Sequence, residues 1–197
     1  LLSVFDKTGI VDLAESLNQH GVEIISTGGT AKTLGDAGLQ VTGISTYTGF
    51  PEIMDGRLKT INPLVEGGIL GLRDKHAGDA EANNIKWIDL VVCNLYPFSD
   101  TISRNNCDLA LALENVDIGG STMIRSAAKN VGWVCVAVDP ADYSIIADEL
   151  GSAGKISFER RQKLSAKAFG HTAQYDTVIH NYLKDENLSD DFSLTFE

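Results

Sequence analysis

The chain has 197 residues, with sixteen Lys and Arg against twenty-seven Asp and Glu, a net charge of -11. Hydrophobic residues at 43% and charged residues at 22% fit an ordinary globular protein of one large domain or two small ones, and exclude wholesale disorder and collagen-like sequence. No apolar run approaches the roughly 20 residues of a membrane span, and no basic excess exists to displace counterions from a nucleic acid. A small phosphorylated ligand stays open, because it needs only a local cluster of donors.

Leu1–Phe5 reads as a strand running into the turn Asp6-Lys-Thr-Gly9. Ile10, Leu13, Ala14 and Leu17 recur at helical spacing, and Gly21 stops that helix. Val22–Ile25 is the next strand, Ser26-Thr-Gly-Gly-Thr30 a glycine turn, 31–37 a helix closed by Gly38, and Val41–Ile44 a third strand. This strand–turn–helix rhythm predicts a parallel α/β sheet. Residues 45–75 break it: with Pro51, Pro63 and many glycines, they read as a functional loop. The rhythm returns with strand 87–95, helices 109–116 and 121–129, strand 133–138, and helices 140–150 and 157–183, the last presenting Leu164, Ala168, Ala173 and Ile179 on one face.

Cys93, Cys107 and Cys135 form no C-x-x-C pair, and Cys93 and Cys135 lie in apolar runs. They read as reduced core thiols, which predicts a cytoplasmic protein. His20, His76, His171 and His180 have no metal-ligand spacing, so no metal site is expected. The chain lacks an initiator Met and ends on an alternating Phe192–Phe196 segment, so a fragment of a longer polypeptide is expected.

Two glycine turns place backbone N–H groups and hydroxyls at helix N-termini, at the carboxyl ends of adjacent strands, where open α/β sheets bind ligands. Arg57 and Lys59 stand two apart in Asp55-Gly-Arg-Leu-Lys-Thr60, as a basic pair on one side of an extended segment or as a solvated loop surface. Asn94 and Tyr96 follow a strand, where they meet a ligand or pack the core. Asp117 precedes two glycines and a helix, as an N-cap or a working carboxylate. Lys129 ends that helix, offsetting its dipole or stabilising developing negative charge.

Nine motifs occur in order: Asp6–Gly9, Ser26–Lys32, Thr48–Glu52, Asp55–Thr60, Gly67–Leu70, Cys93–Phe98, Asp117–Gly120, Ala127–Asn130 and Phe169–Asp176. Together they resemble the N-terminal domain of the bifunctional purine-biosynthesis family that joins inosine monophosphate cyclohydrolase to a transformylase. The resemblance covers essentially the whole chain. It implies a methylglyoxal-synthase-like fold, a three-layer α/β/α sandwich with a mainly parallel sheet, over 1–183. Residues 184–197 would begin a linker to the transformylase domain.

The implied reaction is ring closure of 5-formamidoimidazole-4-carboxamide ribotide, with loss of water, to inosine monophosphate. The implied catalytic residues are Lys59, Tyr96, Asp117 and Lys129. Lys7, Thr8, Thr27, Gly28, Gly29, Thr30, Arg57, Thr60, Asn94 and Gly119 would hold the substrate. No cofactor is implied for this step, although 10-formyltetrahydrofolate would serve the transformylase. A homodimer is also implied.

The chain departs from the family pattern in three places. Asn62 and Glu66 stand where many members carry histidines, and Phe5 where Ser or Tyr is often seen. Asn62 cannot carry a proton as His can, which puts the geometry and pH dependence beside Lys59 in question. Two rival readings on the same fold are a methylglyoxal synthase and a regulatory domain that binds a nucleotide without turnover.

Overall fold

The computed structural model describes residues 1–184. Five strands form one all-parallel sheet, in the order β3-β2-β1-β4-β5. In chain order the elements are β1 (Leu2–Val4), α1 (Ile10–Gln19), β2 (Ile25–Ser26), α2 (Gly28–Asp36), β3 (Thr42–Gly43), α3 (Ile44–Thr48), α4 (Pro63–Leu70) and α5 (Ala77–Ala82). There follow β4 (Leu90–Asn94), α6 (Phe98–Ile102), α7 (Leu109–Glu114), α8 (Ile118–Lys129), β5 (Cys135–Ala137), a 3-10 turn (Pro140–Asp142), α9 (Tyr143–Ala153) and α10 (Phe158–Leu183).

Alternation along the central strands divides the interior into two cores. Val91 and Cys93 of β4 and Val136 of β5 face α3, α4 and α8, meeting Ile44, Val65, Ile69, Met123 and Ile124. Val92, Cys135 and Ala137 face the other way, onto Ile10, Leu13, Leu17 and Leu34 of α1 and α2 and Ile146 of α9. Helix α10 runs along the β5 edge and serves both cores, with Leu164 in one and Ala168 in the other. Each fully buried aliphatic side chain, such as Ile124 or Ile146, stabilises the fold by roughly 1.5–3 kcal/mol relative to its exposed state. This three-layer arrangement is the predicted one.

Several local expectations change. Residues 45–75 are not one loop, because α3 and α4 lie inside. Asn62 caps α4 by accepting from the Leu64 N–H at 2.9 Å, and Pro63 occupies the first turn. The glycines of α4 serve close packing: a Cβ on Gly67 would lie 2.8 Å from Ile85 Cδ1, and one on Gly68 2.4 Å from the Lys86 carbonyl oxygen. The helix expected from residue 31 begins at Gly28, so the second glycine turn is that helix's own first turn.

The short helices α5 and α6 were not anticipated. On α10, Ala173 is exposed, and the inward positions are Leu164, Ser165, Ala168 and Thr172. Cys93 and Cys135 are buried free thiols, and Cys107 is a partly exposed one. The expected linker and the Phe192–Phe196 alternation lie outside the described residues. Among the described residues, no helix is long and apolar enough to cross a membrane.

Candidate functional site

A cavity of about 820 Å³ opens at the carboxyl ends of β1, β2 and β4. Its floor comes from the strand ends and the start of α2, through Val4, Phe5, Lys7, Thr27, Gly28, Gly29, Thr30, Asn94 and Tyr96. One wall is the segment before α4, with Arg57, Lys59 and Thr60. The other is the start of α8, with Asp117, Gly119 and Gly120. Leu113 and Glu114 of α7, and Ile179 and Leu183 of α10, close the apolar end.

The anion-seeking groups gather at the β2 side. No side chain caps α2, so its first N–H groups face the cavity with the positive end of the helix dipole behind them. The hydroxyls nearby are already engaged. Thr27 Oγ1 meets Ser3 Oγ at 2.6 Å, and Thr30 Oγ1 accepts from the Val4 N–H and donates to the Val4 carbonyl, both at 3.0 Å. These bonds pin the end of β1 to the start of α2.

Asn94 is likewise engaged. Its Oδ1 accepts from the backbone N–H groups of Phe5 at 2.6 Å and Asp6 at 2.9 Å, and its Nδ2 donates to the Asp6 carbonyl at 3.1 Å. It therefore shapes the turn after β1 from behind. Lys7 lies over that turn, donating to the carbonyls of Val4 and Phe5, and partial burial lowers its pKa against the opposing pull of Asp6.

Asp117 is the N-cap of α8, and its Oδ1 accepts from the Gly120 N–H at 2.7 Å. The Tyr175 hydroxyl accepts from the Asp117 N–H at 2.9 Å and donates to the Asn115 carbonyl at 3.4 Å. The carboxyl is thus held by the Gly120 N–H and its backbone by Tyr175. Burial raises its pKa, and the Gly120 N–H and the Lys59 charge only partly offset this. A carboxyl poised this way beside a lysine suits proton transfer.

The glycines after Asp117 are required by space. A Cβ on Gly119 would stand 2.9 Å from Thr60 Oγ1, and one on Gly120 2.6 Å from Asp117 Oδ2 and 2.7 Å from Leu95 Cδ2. Glycine at these positions lets Thr60 and Leu95 approach the helix start together.

Of the residues singled out from sequence, Lys59, Tyr96 and Asp117 come together in this cavity, with Lys7, Thr27, Gly28, Gly29, Thr30, Arg57, Thr60, Asn94 and Gly119. Two do not. Thr8 is exposed on the far side of its turn, its N–H bonded to Asp6 Oδ1 at 2.9 Å. Lys129 is exposed at the other end of α8, about 18 Å along the axis from Asp117 at 1.5 Å per residue. Within this chain it lies outside the cavity that Asp117 lines.

Sequence reasoning missed Glu114, whose carboxylate pairs with Arg57 across the cavity mouth, because no spacing marks it. It also missed the role of Tyr175, which sat in a recognised motif without an assigned task. Glu66 lies beside α8, where its Oε2 accepts from Ser126 Oγ at 2.7 Å. Burial raises its pKa, with that hydrogen bond opposing. Among the described residues, no three His, Cys, Asp or Glu side chains cluster as a metal would need.

Comparisons with known proteins place the chain in a family. A family profile described as the AICARFT/IMPCHase bienzyme matches residues 127–197. Over its full length the chain is 52% identical to the bifunctional purine biosynthesis protein PurH of Acetivibrio thermocellus, and it spans 40% of that relative's length. It is 34% identical to the solved structure described as "Crystal structure of ForH", with a TM-score of 0.87 over 95% of this chain and 97% of that one. A profile for the MGS-like domain matches residues 9–122, well over half of the chain. The chain belongs to the MGS-like domain family.

Proposed function

We propose that this chain is an inosine monophosphate cyclohydrolase domain. It would close the ring of 5-formamidoimidazole-4-carboxamide ribotide with loss of water. The observation that carries the reading is the meeting of Asp117, Lys59 and Tyr96 in one cavity with the uncapped start of α2. The identity to the bifunctional purine biosynthesis protein supports the choice of reaction.

In this reading the phosphate rests on the backbone N–H groups of Gly28, Gly29 and Thr30, with Lys7, Arg57 and Thr60 around it. That anchors the heterocycle between Asp117 and Lys59 and holds the carboxamide nitrogen against the formyl carbon. Asp117 takes the proton from the attacking nitrogen. The formyl oxygen, stabilised by Lys59 and Tyr96, takes up that proton and the one lost from the formamido nitrogen, and leaves as water as the ring C=N bond forms. The condensation changes no oxidation state, so these side chains suffice without a cofactor. Lys129 lies outside the cavity of its own chain and carries no step in this reading.

The substrate would be a small nucleotide, the assembly a homodimer and the compartment the cytoplasm. The whole bifunctional protein would draw on 10-formyltetrahydrofolate at its other domain. Mixing the chain with the formamido ribotide should produce the purine chromophore in the ultraviolet. Binding without a spectral change would replace this reading with a regulatory nucleotide-binding module.

A further inference from the structure

We propose that Phe5 and Tyr96 form an aromatic platform that stacks the heterocycle of the bound nucleotide, so that Phe5 sets the preference for a base over a bare sugar phosphate. The proposal rests on the nucleotide reading of the cavity. Phe5 follows β1 and Tyr96 follows β4, and these strands are neighbours in the sheet. Their rings meet with centroids 5.1 Å apart at an interplanar angle of 59°.

Both rings line the cavity while remaining 49% and 47% exposed, so neither packs the core. Two large apolar faces left open at a cavity mouth are covered when a planar group enters. The tilt forms a wedge: a flat ring can stack on one face while its edge meets the other ring.

The backbone holds this wedge still. Asn94 Oδ1 fixes the Phe5 N–H at 2.6 Å, and Lys7 donates to the Phe5 carbonyl at 3.2 Å. Phe5 can therefore offer its ring without reorganising the turn. The same cavity holds the α2 N-terminus for a phosphate, and Asp117 and Lys59 on its walls. A nucleotide anchored by its phosphate thus brings its base onto the ring pair. Stacking on an aromatic face tolerates different heterocycles, so an imidazole substrate and a purine product can share one platform through ring closure.

The test is calorimetric titration of inosine monophosphate and of ribose 5-phosphate into the wild-type chain, Phe5→Ser and Phe5→Tyr. Ribose 5-phosphate keeps the sugar and phosphate but lacks the base. Phe5→Ser should weaken inosine monophosphate at least ~10-fold, about 1.4 kcal/mol, and leave ribose 5-phosphate within about twofold. Phe5→Tyr should retain the affinity for both. An equal loss for both ligands in Phe5→Ser would show that Phe5 only shapes the phosphate turn, and unchanged inosine monophosphate affinity would show that it carries no stacking. Either result overturns the platform while leaving the nucleotide site standing. Failure of the wild-type chain to bind either ligand would overturn the nucleotide reading itself.

Discussion

After β1 the chain turns into α1 through Asp6-Lys-Thr-Gly9, and after β2 it turns into α2 through Thr27-Gly28. In sequence both are short polar turns with glycine, each between a parallel strand and a helix. In the fold neither helix start is capped by a side chain, but only the first residues of the second helix line the cavity. Asp6 Oδ1 already accepts the Thr8 N–H at 2.9 Å, and Lys7 is drawn back over the carbonyls of Val4 and Phe5. At the second turn no side chain caps the helix, and Thr27 and Thr30 point into the sheet to bond Ser3 and Val4. A strand–turn–helix becomes an anion site where its open helix start also faces a cavity.

The comparison is sharpest between two carboxyls that each take a backbone N–H at a turn, Asp6 and Asp117. Asp6 is exposed, and its bonds to the Thr8 hydroxyl and N–H hold it below the ordinary value of 3.8. Asp117 is largely buried, and desolvation raises it above 3.8. Groups driven apart in this way divide into structural and working roles. Asp117→Asn keeps an acceptor for the Gly120 N–H but cannot take a proton. Ring closure should fall by about 10²–10⁴-fold with little change in thermal unfolding, both readable on one preparation. Near-wild-type turnover would remove Asp117 from the chemistry.

The same pair sets the pH dependence. Protonated Asp117 is no base, so the acidic limb of kcat/KM should lie above the ordinary carboxylate value of 3.8. Its raised folded pKa contributes stability that is present below the unfolded value and lost as pH rises through the folded one. Asp6 has the opposite sign. Its lowered pKa contributes stability above the unfolded value, lost as pH falls through the folded one. Carboxyl carbon NMR across an acid titration should place Asp6 below 3.8 and Asp117 above it. The reverse order would undo the contrast.

The fold was legible because its cues are local: Ile10, Leu13, Ala14 and Leu17 are all buried at the helical spacing the sequence shows. Strand ends were less so, since β2 and β3 are two-residue strands whose pairing is set by neighbours rather than by their own pattern. The site was legible as a set of residues, but not in what each one does. Thr30 and Asn94 look like ligand donors in sequence and are committed to backbone groups of β1 and its turn. Lys129 looks like a partner of Asp117, but one long helix separates them. Glu114 and Tyr175 reach their partners across 57 and 58 residues, a separation on which sequence spacing is silent.

Substitution in the two turns separates them directly. Thr30 is 2% exposed and bonds both backbone groups of Val4, so Thr30→Ala should cost about 1–3 kcal/mol in urea unfolding. It should also weaken phosphate binding, because the start of α2 loses its tie to β1. Thr8→Ala, on the exposed turn, should stay within about 0.5 kcal/mol and leave phosphate affinity unchanged. Equal effects would mean that Thr8 also holds the anion.

Arg57 gives the smallest effect and the finest resolution. Its guanidinium pairs with Glu114 across the cavity mouth, yet the two side chains are 66% and 54% exposed. Exposed ion pairs are worth only about 0–1 kcal/mol, so Glu114 restrains Arg57 weakly. A bound phosphate at the second turn would compete with Glu114 for the same guanidinium. Glu114→Gln should therefore lower the Michaelis constant, by no more than about fivefold given the weakness of an exposed pair. The gain should fade toward 1 M salt, where the screening length is about 3 Å. Arg57→Ala should raise the constant in low salt. If Glu114→Gln instead raises it, the carboxylate presents Arg57 to the ligand rather than withholding it, and the second turn depends on a partner from α7 as well as on its own open helix end.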